Sequence, residues 1–248
     1  MKKVYAIGSS DLTFEMIDRI INDGYQLELH PDGKQRIQKC RDYLDNKIKV
    51  SKVPVYGITT GFGSLCNKSI SLNELSTLQE NLVKSHACSV GKEVPKEVIR
   101  LMLLFKAHAL ALGHSGVQVL TVERIIDFFN HDVLPVVYDR GSLGASGDLA
   151  PLANLFLPLI GYGEVFYKGE KRCAKEVLAE LGWQPVTLQS KEGLALLNGT
   201  QFMGANGTYA ILRAFRISKL ADLIGALSLE GFDGRIDPFY DCIHLVRP

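Results

Sequence analysis

Residues 141–153 read GSLGASGDLAPLA, and the chemistry they permit belongs to the main chain. Ala145, Ser146 and Gly147 carry almost no side-chain bulk. If the backbone folds tightly there, the Gly147 amide nitrogen can reach the Ala145 carbonyl carbon, an approach that only tiny side chains allow. Ser146 can then lose its hydroxyl as water and leave an exocyclic methylidene on an imidazolone ring. That is a strong electrophile, which ordinary side chains do not provide. A plainer reading stands beside it: a helix-start loop in which Ser146 or Asp148 is the cap. Two other readings fail. No Gly-Lys-Ser/Thr follows, as a phosphate loop requires, and the second glycine adjoins Ser146, where a nucleophile elbow would place it two residues on.

The elements around this stretch are mostly helical. Residues 13–23 repeat Met16, Ile17, Ile20 and Ile21 on one face, and residues 34–48 repeat Ile37, Cys40, Leu44 and Ile48. Residues 54–66 turn Gly-rich and lose the helical period, which predicts a loop. Ser71 and Glu74 stand three apart as a capping box, with Ile70 placed to staple onto Leu75. Leu75, Leu78 and Leu82 continue a helix toward Ser85-His86-Ala87. Pro95 suits the first turn of an apolar helix over 95–112. Further helices are predicted over 119–130, 149–160, 174–181 and about 200–230, with a β-like run at 133–138 and a hairpin turning at Lys168-Gly169. The fold class is mainly α: a small mixed N-terminal region, then the start of a long-helix bundle. A helix of about 30 residues needs long partners, and little chain follows residue 230, so its partners are expected outside this chain.

Composition excludes several functions. The 248 residues carry a formal net charge of +1 with no run of Lys and Arg, which argues against nucleic acid as a partner. Five scattered cysteines without a Cys-x-x-Cys read as free thiols in a cytoplasmic protein, with neither a disulfide frame nor a metal site. The start lacks the pattern of a signal peptide, so the three Asn-x-Ser/Thr matches read as chance. The apolar run 98–113 is interrupted by Arg100, Lys106 and His108. It is too short and too polar to span a membrane and reads as a core helix.

Five blocks then carry a resemblance. Residues 141–153, the tyrosine loop Tyr56-Gly57-Ile58-Thr59-Thr60-Gly61-Phe62-Gly63, the segment Gln79 to His86, and Glu192 to Gln201 with Gly113-His114-Ser115-Gly116 before it closely resemble the aromatic amino acid ammonia-lyase family, over essentially the whole chain. Ser85-His86-Ala87 and Asn198-Gly199-Thr200-Gln201 look most like its histidine ammonia-lyase branch, which converts L-histidine to urocanate and ammonia. The resemblance implies that Ala145, Ser146 and Gly147 form 4-methylideneimidazole-5-one (MIO), with no external cofactor. It implies that Tyr56 lies closest to the proton transfer, that His86 recognises the substrate ring and that Asn198 bonds near the MIO and the substrate carboxylate. It also implies a small amino-acid substrate and a homo-oligomer, tetrameric in the family. Division falls into 1–112, bearing the tyrosine loop and ring segment, and 113–248, bearing the MIO loop and the start of the bundle.

His114 and Asp148 are expected to be structural, as a satisfied core histidine and a helix-start acid. Departures from the family pattern are Thr59 for an Asn, Ser89 for a Gly, and Asn154 and Phe156 for a His and a small residue. The family's sequence continues where residues 244–248 stop, and the residues it supplies afterwards are absent here. Two alternatives therefore stay open: a catalytically incomplete fragment that folds or self-associates, and a tyrosine ammonia-lyase, since a phenol hydroxyl also satisfies His86.

Overall fold

The computed structural model describes residues 3–50, 54–61, 63, 68, 70–71, 74–143 and 147–246. It opens with β1 (Val4–Ile7), α1 (Phe14–Asn22) and β2 (Gln26–Leu29). Thr13 starts α1 by accepting the Met16 N–H, and Ile17 and Ile20 bury its inner face. β1 and β2 pair in parallel from Val4 opposite Gln26 to Ile7 opposite Leu29. Strands of four residues leave too short a window for periodicity, and this pair was not foreseen. Next come α2 (Pro31–Val50), α3 (Leu75–His86), β3 (Val90–Glu93) and α4 (Lys96–Ala111).

The capping box at α3 does not form. The Ser71 hydroxyl donates to the Glu74 carboxylate at 2.6 Å, and Glu74 caps the helix without a side-chain bond to its backbone. Both side chains are exposed, so pairing with each other competes with the backbone N–H groups. Pro95 sits at the cap of α4, just outside its first turn.

α5 (Val119–Asn130) follows, and then the run 133–138 divides between two sheets. β4 (Leu134–Pro135) joins β6 (Glu164–Tyr167) and β7 (Glu170–Cys173), whereas β5 (Tyr138–Arg140) pairs antiparallel with β3. The hairpin β6–β7 turns on Lys168 and Gly169 at φ +53° and +86°, as a two-residue primed turn requires. The helix expected over 149–160 is α6 (Leu149–Phe156) followed by a separate 3-10 turn, Pro158–Ile160. Pro158 has no N–H to continue the α ladder. α7 (Ala174–Glu180), α8 (Glu192–Leu197), α9 (Gln201–Gly231) and α10 (Asp241–His244) complete the order.

Helix α4 is the centre of the core. Leu101, Met102, Leu103, Leu104, Ala107 and Leu110 are all buried on it, and it packs on α1, α2 and α5. The apolar run is thus an interior helix, and no helix among the described residues is long and apolar enough to cross a membrane. α3, α6 and α8 pack on one another as a second group, and this trio carries the candidate site. Contacts gather into two units, Met1–Gly207 and Thr208–Pro248. Within the second, Ile217, Leu220, Leu223, Ile224 and Leu227 of α9 are exposed.

Candidate active site

A cavity of about 570 Å³ is lined by Tyr56, Gly63, Leu82, His86, His114, Ser115, Leu149, Lys191, Leu194, Ala195, Leu197 and Asn198. Three of the residues singled out in the sequence, Tyr56, His86 and Asn198, therefore line one cavity. They come from a loop and from the C-terminal ends of α3 and α8. The cavity is framed by the seam between those helices. Gly193 of α8 lies against α3 so closely that a Cβ there would fall 2.6 Å from the Gln79 carbonyl oxygen. Gln79, fully buried, also accepts the Leu194 N–H through Oε1.

His86 closes α3. Its Nδ1 lies 2.9 Å from the Leu82 carbonyl oxygen. A carbonyl can only accept, so in this contact Nδ1 carries the hydrogen, with the Ser85 hydroxyl also 3.1 Å from it, and Nε2 is the nitrogen left to accept whenever the ring holds a single N–H. The Ser85 hydroxyl donates to that same carbonyl at 3.1 Å. Asn198 caps α8: its backbone N–H and Nδ2 both donate to Leu194 O, at 3.0 and 3.1 Å. The Tyr56 phenol oxygen accepts the Gly63 N–H at 3.3 Å, and the ring is more than half exposed at the cavity mouth.

Ala145 and Ser146 lie outside the described residues. Gly147, the third member of the tripeptide, is at φ +93° and forms a parallel bridge with Gly199. A Cβ on residue 147 would collide with the Gly199 carbonyl oxygen and lie 2.8 Å from its carbon. Only glycine fits, and Gly199 in turn adjoins Asn198 in the cavity wall. Position 147 thus admits no side chain, the condition that close approach of the main chain there sets.

Asp148 is a helix-start acid, as expected, and stands at the N-cap of α6, but its side chain makes no cap bond there. It is buried, and its carboxylate accepts the Ser142 hydroxyl at 2.6 Å and the Met203 N–H at 2.9 Å, so it also ties down the start of α9. Its own N–H donates to Gly199 O at 2.9 Å. His114 is no core histidine: it is exposed and lines the cavity, because the turn after α4 brings it to the surface.

Residues that sequence reasoning missed are cationic or acidic groups inside the packing. Lys191 stands at φ +71° before α8 and donates to Ser115 O at 2.8 Å; burial pushes its ammonium below the usual lysine range. Lys106 of α4 is 2% exposed and donates to the Asn198 carbonyl at 2.8 Å. Glu192, fully buried at the start of α8, accepts from Gln118 N and Nε2, Thr121 Oγ1 and Gln189 N at 2.6–2.8 Å. Every one of those donors is neutral. Glu192→Gln turns one acceptor oxygen into a donor facing donors, and is expected to cost on the order of 2–4 kcal/mol in urea unfolding.

A family model described as aromatic amino acid lyase matches residues 12–248. The chain belongs to the aromatic amino acid lyase family. Among its relatives, the histidine ammonia-lyase of Caldanaerobacter subterraneus subsp. tengcongensis is 46% identical over all 248 residues, which cover 48% of that protein. The histidine ammonia-lyase of Myxococcus xanthus is 46% identical over 97% of the chain and 47% of its own length. The crystal structure of histidine ammonia-lyase from Trypanosoma cruzi superposes with a TM-score of 0.88 at 37% identity, covering the whole chain and 48% of that one. This lyase chain thus spans about half the length of the curated relatives it matches. The span matched to the family takes in every residue that lines the cavity, from Tyr56 to Asn198.

Proposed function

We propose that this chain carries the N-terminal part of a histidine ammonia-lyase site, converting L-histidine to urocanate and ammonia as the first step of histidine degradation. The carrying observation is the meeting of Tyr56, His86 and Asn198 in one cavity, with Asn198 continuing into the Gly199 that receives Gly147. In functional terms the chain divides at 112/113. Tyr56 and His86 precede that point, and the tripeptide and Asn198 follow it.

The cofactor of this reading is MIO, made by the chain. The Gly147 nitrogen bonds to the Ala145 carbonyl carbon, and the carbonyl oxygen leaves as water with hydrogens from the nitrogens of Gly147 and Ser146. The Ser146 hydroxyl leaves as a second water with the Ser146 Cα hydrogen. No oxidant is needed, and the mass falls by about 36 Da. Once formed, the group supplies an electrophilic methylidene carbon. The other tasks fall to side chains. Nε2 of His86 accepts the ring N–H of the substrate, which orients the imidazole. Tyr56, on a loop at the mouth, is placed to take the substrate proton. Asn198 addresses the carboxylate end. A homo-oligomer, tetrameric as the family resemblance implies, covers the exposed apolar residues of α9.

Intact mass spectrometry of the full-length gene product tests the cofactor, and near-ultraviolet absorbance of urocanate tests the reaction. An unmodified mass, or no urocanate from a full-length protein with Ser146 intact, sinks the reading. Tyrosine is the competing substrate, because its hydroxyl also donates to Nε2; turnover on the two amino acids separates them. His86→Leu removes the acceptor and leaves the substrate N–H unpaired. We expect KM for histidine to rise about 10- to 100-fold, with a smaller effect on kcat.

A further inference from the structure

The residues that hold the Asn198–Gly199 turn in place are not those that line the cavity. Lys106 lies on the inner face of α4 among Leu103, Leu104, Ala107 and Leu110, where an apolar side chain would be cheaper to bury. Among the described residues it has no carboxylate partner within ion-pair distance. Its ammonium meets the Asn198 carbonyl oxygen at 2.8 Å and Gln201 Oε1 at 3.5 Å, and the Phe156 ring centroid lies 6.0 Å away. The carbonyl it holds belongs to the C-cap of α8, and the next peptide group is the one that faces Gly147. On the far side of that peptide, Asp148 donates its N–H to Gly199 O and accepts the Met203 N–H. Both Asp148 oxygens are engaged, by Ser142 and Met203. The turn from Asn198 to Met203 is therefore gripped from two directions, by a buried lysine on α4 and by the start of α6.

We propose that Lys106 is a positioning residue for the Gly147 side of ring closure: it fixes the Asn198 carbonyl and, through the Asn198–Gly199 peptide, the backbone surface against which Gly147 is held. The consequence for ring closure rests on the MIO reading above. Ring formation needs the Gly147 nitrogen and the Ala145 carbonyl carbon held in contact. Reactions of that kind lose rate steeply when the partners are loosely held. Lys106 touches none of the reacting atoms and acts through the peptide beside them.

The test compares the unmodified full-length gene product with Lys106→Met and Lys106→Arg. Methionine fills similar space without a donor, whereas arginine keeps both donor and charge. After denaturant-free expression, intact mass follows the appearance of the form about 36 Da lighter. We expect that form to appear at least about 10-fold more slowly in Lys106→Met, with Lys106→Arg close to the unmodified protein and thermal melting of the methionine variant not lowered. Equal rates in all three overturn the proposal. Lys106→Leu replaces Lys106→Met should the latter not fold. Amide hydrogen exchange at residues 199–203 separates this outcome from failure of the MIO reading itself. If the unmodified protein never loses the two waters, faster exchange there in Lys106→Met still supports the positioning role, and unchanged exchange overturns it.

Discussion

Gly147→Ala is expected to give a protein that keeps both waters, so its intact mass stays about 36 Da above that of the cyclised parent plus the added methyl. Two physical effects act together. The position requires φ +93°, which a residue with a Cβ adopts only under strain. The new Cβ also collides with the Gly199 carbonyl oxygen, a backbone atom gripped by the Asp148 N–H and unable to swing aside as a flexible side chain would. The 147/199 bridge must therefore open, moving the nitrogen that would close the ring. We expect a stability loss on the order of 2–3 kcal/mol in addition to complete loss of the mass change. Ser146→Ala is the matching control, since it removes the hydroxyl whose loss as water would leave the methylidene. A Gly147→Ala protein that still loses 36 Da would overturn the assignment.

The second large effect is a pH dependence of stability. Burial pushes the Lys106 ammonium down to about 7 from the ordinary 10.5. Between those values the unfolded chain binds a proton at this residue that the folded chain has released. Stability then rises with pH, because the state holding more protons is disfavoured as protons become scarce. The slope is at most about 1.4 kcal/mol per pH unit. Below about pH 7 both states are charged, and the full cost of burying the ammonium remains. Unfolding by urea at several pH values, unmodified against Lys106→Met, cancels the other titrating groups. The unmodified protein is expected to gain about 3 kcal/mol on the methionine variant between pH 6.5 and 9. Parallel curves would show that the lysine titrates alike in both states.

How much of this was legible in the sequence depends on the range over which each signal acts. α1, α4, α5, α9 and the Lys168-Gly169 hairpin follow from periodicity and turn residues within a dozen positions. The convergence of Tyr56, His86 and Asn198 followed from no spacing at all, since they are separated by up to 142 positions (198 − 56); matched blocks pointed to it. Asp148 reads as a helix-start acid and stands at the start of α6, but nothing local shows that its carboxylate reaches the start of a second helix, which begins at Gln201. Lys106 was noticed only as an interruption of an apolar run. Nothing local distinguishes a lysine that reaches solvent from one that reaches a carbonyl 92 positions away.

The seam between α3 and α8 has a consequence for what the cavity can hold. Gly193 sits against the Gln79 carbonyl about two turns before His86, so the separation of the His86 and Asn198 helices is a main-chain gauge. Substitution at residue 193 can only pry the gauge open, and nothing smaller than glycine exists to close it. Selection for a smaller or larger amino acid at this site must therefore work through the movable jaws, Leu82, Leu194 and Ala195, while the frame that carries them keeps one setting.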